Sequence, residues 1–545
     1  MNTPQSSTRL AWQADGRQPA IDRLGGHEPP WDLLIIGGGI TGAAVLREAA
    51  RRGLRALLVE QHDFAWGTSS RSARMVHGGL RYLSSGNFGL TRESVVERQR
   101  LLDEAPGLVE PLKFLYAFRR GQFPGRVVFG LLLRIYDAFA GRSDRRHFDA
   151  DAAGWLLPGL DEAGLRGVVQ YTDAITDDAR LVLRVLAEAM DDGGLALNYL
   201  KARQLLFDDG KVAGAEIVDT INDRTLRVRA RCVVNATGAW ADRLRAEVGA
   251  EKRLRPLRGS HLVVPSWRLP VFQALTFRHP RDRRFTYIYP WAGTTVIGTT
   301  DLDHADSLDQ EPRISADELD YLLDGVNQQF PRARIGPEDV ISTWSGVRPI
   351  VVSRGEDVHK LAPSKASREH VVWNDKGLIT VTGGKLTTFR ILAMAVLKSA
   401  AAELGIEPVR DRGARFLAAV PDHVTGLRLG EGQQRRLTGW YGADAQALVV
   451  HAPEPECEPV PGSEVLWAEL RWAARCEAVQ HLDDLLLRRT RLGLLLPNGG
   501  LAHSARIGDI CRRELGWDET RWGDELARYQ AIWRRCYSLP AENDE

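Results

Sequence analysis

The chain has 545 residues, with 72 Lys and Arg against 71 Asp and Glu, so its formal net charge is +1 and no global field favours nucleic acid or any other polyanion. Electrostatic function must therefore be local. Hydrophobic residues (44%) and charged residues (26%) match ordinary globular usage, and the length exceeds what one core serves, so two or three structural units are expected.

Cys232, Cys457, Cys476, Cys511 and Cys536 lie too far apart for a disulfide framework and form no CxxC pair for zinc, which fits a reducing, cytosolic compartment. Apolar runs such as Val127–Leu133 fall short of the roughly 20 residues that span a bilayer. Residues 1–30 are polar and mixed in charge and read as a mobile N-terminal extension. The composition, with Arg preferred to Lys and much Ala, Gly and Leu, points to a GC-rich bacterial genome.

Trp31–Ile36 is a short apolar run that stops at Gly37-Gly38-Gly39; Ala43–Arg52 has helical composition, Gly53 ends it, and a second apolar run, Leu54–Val59, closes on Glu60. This is a βαβ unit. Residues 101–170, punctuated by Pro106, Pro111, Pro124 and Pro158, read as an excursion from the first sheet. Asp178–Met190 suits a helix, and Val212–Val218 and Leu226–Val234 suit strands running into Asn235-Ala236-Thr237-Gly238. The Thr-, Tyr- and Val-rich stretch from about 255 to 345 favours an antiparallel, substrate-side sheet. Leu378–Val381 reads as a buried strand before Thr382-Gly383-Gly384-Lys385 and a helix through Phe389–Leu404. The rest is mostly helical, including an expected helix over Ser463–Asp484, and reads as its own domain.

Gly37, Gly39 and Gly42 form GxGxxG directly after a strand and at the start of a helix. The three glycines permit the tight turn, close approach of a pyrophosphate and close helix–strand packing, while Glu60 stands where a carboxylate accepts from ribose hydroxyls. The motif implies a dinucleotide and leaves FAD and NAD both open.

Further motifs decide between them. Thr68-Ser69-Ser70-Arg71-Ser72, His77-Gly78-Gly79-Leu80-Arg81-Tyr82-Leu83, Asp177-Asp178-Ala179-Arg180-Leu181, Gly298-Thr299-Thr300-Asp301, Ser345-Gly346-Val347-Arg348-Pro349 and Gly383-Gly384-Lys385-Leu386-Thr387-Thr388 closely resemble the FAD-dependent, quinone-linked glycerol-3-phosphate dehydrogenases. The resemblance covers about residues 31–400, and Arg488-Arg489-Thr490-Arg491-Leu492 resembles the family's helical C-terminal domain. It implies an α/β fold: a Rossmann-like FAD domain of the glutathione-reductase/amino-acid-oxidase type (about 31–100, 171–255 and 345–400), a β-rich substrate domain (101–170 and 256–344), and a helical C-terminal domain (401–545).

The implied reaction is FAD-dependent oxidation of sn-glycerol 3-phosphate to dihydroxyacetone phosphate. Hydride passes from carbon 2 to the flavin and electrons go on to ubiquinone or menaquinone. His77 is the expected base, because imidazole titrates near neutral pH and two glycines follow it; a structural role in capping the loop is the alternative. Arg348 is expected to grip the phosphate or the developing alkoxide, with Lys385 as a second cation. Arg81 and Tyr82 rank next as substrate contacts, and Asp301 resembles a position near the substrate, though an Asp there also suits a turn cap. Cofactor contacts are expected from Gly37, Gly39, Gly42, Glu60, Thr68, Ser69, Ser70, His77, Gly78, Gly79, Leu80, Thr237, Gly238, Gly384, Lys385, Leu386 and Thr387.

From Lys113 to Arg146 eight basic residues face two acidic ones, with Phe123, Val127, Phe129, Leu131 and Phe139 interleaved. Such a segment suits an anionic membrane surface, and a domain-packing helix is its bland alternative. The expected partners are the substrate, a quinone, that membrane surface (the cytoplasmic face of a bacterial inner membrane) and, as an option, a second copy in a homodimer, with no nucleic acid and no metal. A soluble oxidase using oxygen and an amino-acid-oxidase-like flavoenzyme are the rival readings.

Overall fold

The computed structural model describes residues 8–24, 29–80, 83, 86–121, 123–141, 143–352, 370–407, 410–411, 413–421, 423–425 and 429–540. Strand Trp31–Ile36 lies parallel between Ala56–Val59 and Arg224–Asn235, and Leu33, Leu34 and Ile35 are wholly buried. Such a run, apolar on both faces, is what a central parallel strand requires. The sheet continues outward to Leu195–Leu197 on one side and to Leu378–Thr382 and Val371–Asp375 on the other. Helices Ile40–Ala50, Asp178–Asp191 and Phe389–Leu404 bury their apolar residues in the same core. The expected strands and helices therefore stand, with ends shifted by a few residues.

The second sheet joins distant parts of the chain. Val109–Arg119 pairs antiparallel with Leu165–Thr176 and parallel with Ala274–Arg278. Beyond the latter lie Phe285–Trp291, Thr294–Gly298 and Leu254–Pro265, and Leu254–Pro265 also pairs along its length with Ser342–Val351. The fold is an α/β architecture with a β-rich partner sheet and a helical C-terminal part carrying helices such as Glu431–Tyr441, Trp467–Cys476, Ser504–Leu515 and Glu519–Cys536.

Two local expectations need correction. The helix expected over Ser463–Asp484 ends at Cys476. Ala478 takes a left-handed φ of 54°, and its N–H reaches the Trp12 carbonyl at 3.0 Å; helix continuation loses to this tertiary contact. The described residues of the N-terminal segment are not a mobile extension. Arg17–Leu24 is a helix, and Trp12 and Ile21 are buried. The Trp12 indole donates to the Ala196 carbonyl at 2.9 Å, and Arg17 pairs with Asp219 at 2.8 Å. Of the mixed charges that suggested solvation, Arg9, Arg17 and Asp22 are spent on such pairs.

The C-terminal part is bound to the first domain by buried ions. Arg488 and Arg489 both grip Asp63, Arg491 grips Asp177 and Asp178, and Arg180 pairs with Glu477. Burial raises the Asp63 carboxyl, but Arg489 and Arg488 outweigh it and hold Asp63 below the usual carboxylate range.

Candidate active site

One cavity of about 930 Å³ runs along the ends of the first sheet and under the second. At its first part, Gly37 has a φ of +116°, and a Cβ there would lie 2.6 Å from the Ala236 carbonyl oxygen. A Cβ on Gly42 would lie 1.9 Å from the Gly37 oxygen. The chain thus needs glycine at both positions to bring the helix N-terminus onto the strand end. The helix beginning at Ile40 then directs its first N–H groups toward the cavity; one of them, Ile40, donates to Ser69 Oγ at 3.0 Å. Glu60 accepts from the Gly38 and His62 N–H groups at 2.7 and 2.9 Å, and burial still raises its carboxyl above the usual range. Each of its oxygens retains capacity for a further donor. A helix N-terminus for a pyrophosphate, a carboxylate for ribose hydroxyls and glycines that admit the backbone together fit FAD.

The other part of the cavity is lined by His77, Gly79, Leu80, Tyr171, Arg278, Arg283, Arg284, Asp301, Arg348 and Lys385. Asp301 is no mere turn cap. It is buried, and its carboxylate is shared by Arg348 Nη1 and Arg284 Nη2, each at 3.1 Å. Arg348 also donates to Thr299 Oγ1 at 3.1 Å, so its planar head is fixed at two points. Lys385 Nζ donates to Ser94 Oγ at 2.8 Å. Beneath Arg348 lies His261, stacked on Trp344 with ring centroids 4.8 Å apart. Burial first, and then Arg348 and Arg74, hold His261 far below its ordinary value and therefore neutral.

The structure brings most of the expected residues to this cavity: Gly37, Gly39, Glu60, Thr68, Ser69, His77, Gly79, Leu80, Thr237, Gly238, Asp301, Arg348, Gly384, Lys385, Leu386 and Thr387 all line it. Gly42, Ser70 and Gly78 stand behind the lining, and Arg81 and Tyr82 lie outside the described residues. Sequence reasoning missed Arg284, Arg278 and the buried His261. The run Arg281-Asp282-Arg283-Arg284 between two strands was the available signal for Arg284; Arg278, at the end of the preceding strand, and His261, in an apolar strand, gave none. Among the described residues no cluster of His, Cys, Asp and Glu is suited to a metal ion, and no helix is long and apolar enough to cross a membrane.

Comparison with known proteins agrees with this geometry. Residues 32–396 match the family model described as FAD dependent oxidoreductase, and residues 412–522 match the C-terminal domain of alpha-glycerophosphate oxidase. The chain is 32% identical over 514 residues to an aerobic glycerol-3-phosphate dehydrogenase of Staphylococcus saprophyticus, covering 89% of this chain and 91% of that one. The crystal structure of a glycerol-3-phosphate dehydrogenase from Bacillus halodurans complexed with FAD superposes with a TM-score of 0.75 at 29% identity, covering 96% of this chain and 98% of that one. An FAD-bound L-alpha-glycerophosphate oxidase from Mycoplasma pneumoniae shares the fold, with a TM-score of 0.55 at 17% identity over 72% of this chain and all of that one.

Proposed function

From the premise that this chain belongs to the FAD-dependent oxidoreductases, within the aerobic glycerol-3-phosphate dehydrogenase family, we propose that it oxidises sn-glycerol 3-phosphate to dihydroxyacetone phosphate and passes the electrons to a quinone. The observation that carries this reading is the convergence, in one cavity, of a dinucleotide cradle with His77, Arg284, Arg348 and Lys385. A phosphate monoester carries close to two negative charges at neutral pH, and guanidinium groups suit it better than they suit the amine of an amino acid.

The chain's own residues supply three functions. Arg348, held by Asp301 and Thr299, presents a fixed guanidinium to an anionic oxygen with little reorganisation during reaction. Lys385, held by Ser94, adds a point charge from the facing loop. His77 takes the proton of the carbon-2 hydroxyl as the carbon–oxygen double bond forms, and the hydride leaves carbon 2 with its electron pair. Bound FAD supplies the acceptor for that hydride.

The acceptor reading is supported by helix Arg126–Ala140. Val127 is 84% and Leu131 58% exposed, and Phe123 just before it is 73% exposed, while Arg126 and Arg134 are exposed beside them. An apolar stripe with basic flanks suits the headgroup region of an anionic leaflet, where a lipid-soluble quinone is within reach. On this reading the enzyme sits peripherally on the cytoplasmic face of a bacterial inner membrane. The match of residues 412–522 to an oxidase domain makes oxygen the rival acceptor.

Anaerobic mixing of the purified holoenzyme with sn-glycerol 3-phosphate, followed by oxidised-flavin absorbance, tests the reading. Rapid bleaching that a quinone reverses much faster than oxygen is expected. Equal reversal by oxygen indicates the oxidase, and absence of bleaching removes the substrate assignment.

A further inference from the structure

The peptide unit that joins His77 to Gly78 is held at both of its polar ends. Its carbonyl, on His77, accepts from Thr387 Oγ1 at 3.2 Å. Its N–H, on Gly78, is shared between the Tyr136 hydroxyl at 2.8 Å and Asp173 Oδ1 at 3.1 Å. A peptide plane is rigid, so holding its C=O and N–H on opposite sides restricts ψ of His77 and with it the backbone from which the His77 side chain projects. The next residue, Gly79, has a φ of +78°, and two successive glycines without such a clamp give the least constrained backbone available.

We propose that Tyr136, together with Asp173 and Arg98, is a positioning residue for His77 in the oxidation described above. The inference rests on that reading for the role of His77, and on geometry alone for the clamp. The Tyr136 hydroxyl donates to Asp173 Oδ1 at 2.5 Å and accepts from the Gly78 N–H and from Arg98 Nη1 at 3.0 Å. One donor and two lone pairs are thereby all in use. Burial, and then the neighbouring Asp173 carboxylate, push the phenol well above its ordinary value, so the donated proton stays in place. Arg98 completes the unit by bonding the same Asp173 oxygen and the Thr172 carbonyl.

The packing around the clamped amide is close. A Cβ on Gly78 would lie 2.3 Å from the Tyr136 hydroxyl oxygen and 2.4 Å from Val95 Cγ2. Val95 and Arg98 belong to helix Phe88–Glu104, and Ser94 of the same helix accepts from Lys385. One short stretch of helix thus sets the backbone behind His77 and the head of the facing cation. Tyr136 itself does not line the cavity. It enters from helix Arg126–Ala140, whose opposite side carries the exposed Val127 and Leu131.

Tyr136→Phe in the holoenzyme tests this, because the ring keeps its packing against Val95 and Leu83. At saturating sn-glycerol 3-phosphate the flavin should bleach about 10- to 100-fold more slowly, with KM changed by less than about threefold, as expected for misplacement rather than lost substrate contact. Hydrogen exchange at the Gly78 amide should rise by about tenfold or more while exchange in the first sheet is unchanged. Thr387→Val, which removes the opposite end of the clamp, should slow bleaching similarly and combine less than additively with Tyr136→Phe; it carries the test alone if Tyr136→Phe does not fold. Bleaching at the wild-type rate, or slower bleaching with unchanged Gly78 exchange, overturns the proposal. Wild-type enzyme that does not bleach at all overturns the substrate assignment instead, and the exchange measurement then still decides the clamp.

Discussion

Arg491 offers the sharpest test of how the C-terminal part serves the cofactor site. Its Nε donates to both oxygens of Asp177 at 2.9 and 3.1 Å, its Nη2 bonds Asp178, and its Nη1 bonds the carbonyls of Ser70 at 3.2 Å and Leu487 at 2.8 Å. All these groups are buried, and the next guanidinium, Arg74, stays 4.0 and 3.9 Å from the two carboxylates. Arg491→Met keeps the length of the side chain but strands two buried anions, a loss of about 3–5 kcal/mol. With an unfolding entropy of about 2.1 cal/mol/K per residue, a 4 kcal/mol loss lowers the melting temperature by about 4 °C if the chain melts as one unit. If the segment 412–522 melts separately, the drop is about 17 °C. Calorimetry with simultaneous flavin fluorescence reads both quantities, and FAD should escape sooner from the variant because Ser70 loses its anchor. The sign with pH is fixed. Burial raises Asp177, but Arg491 and Arg74 outweigh it in the wild type and hold its carboxyl low. The wild-type contribution is therefore complete above the unfolded carboxylate range and is lost only as pH falls through the lower folded value. Without Arg491, burial dominates and the carboxyl rises, so the variant's deficit should shrink between pH 8 and pH 5. A variant melting within about 1 °C of wild type at both pH values, with unchanged FAD release, refutes the reasoning.

Gly42→Ala forces a methyl to within 1.9 Å of the Gly37 oxygen, a clash worth about 1–3 kcal/mol; the protein should purify colourless while retaining its circular-dichroism spectrum, and full FAD content would contradict this. Arg348→Lys replaces a planar head fixed by Asp301 and Thr299, so the rate of flavin reduction should fall about 100-fold or more in stopped flow, with FAD binding unaltered. Val127→Glu sits at an 84% exposed position, so stability should change by less than about 0.5 kcal/mol, whereas co-sedimentation with phosphatidylglycerol vesicles should weaken markedly. Unchanged sedimentation would remove the membrane reading.

The strand–turn–helix around Gly37 was legible because every local signal agreed: a buried parallel strand, glycines that sterics demand, and an acid closing the next strand. His77, Arg348 and Lys385 were legible only through their motifs, since nothing in composition or spacing brings residues so far apart in the chain to one cavity. The positions that fix them were not legible. Arg284 shares Asp301 with Arg348, but in sequence it is one basic residue in a charged turn. Tyr136 reads as one more aromatic in an apolar helix, because hydrogen bonds between elements leave no periodic trace. The break at Ala478 was hidden for the same reason: its left-handed backbone answers to Trp12, far away in the chain.

Helix Arg126–Ala140 shows what the pattern does contain once the packing is known. Phe129, Leu133 and Tyr136 are buried, spaced so that they share one face, and that stripe alone suffices to dock the helix. Val127 and Leu131 form a second apolar row, four residues apart, that points outward. Folding does not require the second row, since a polar residue at either position would be cheaper to leave in water. Its presence beside Arg126 and Arg134 is the basis of the membrane proposal, which the vesicle measurement tests. The same helix bears Tyr136 on its inner side, bonded to the Gly78 amide. Whatever the outer row touches is thus one helix diameter from the backbone that aims His77, and the vesicle and exchange measurements bear on two faces of one element.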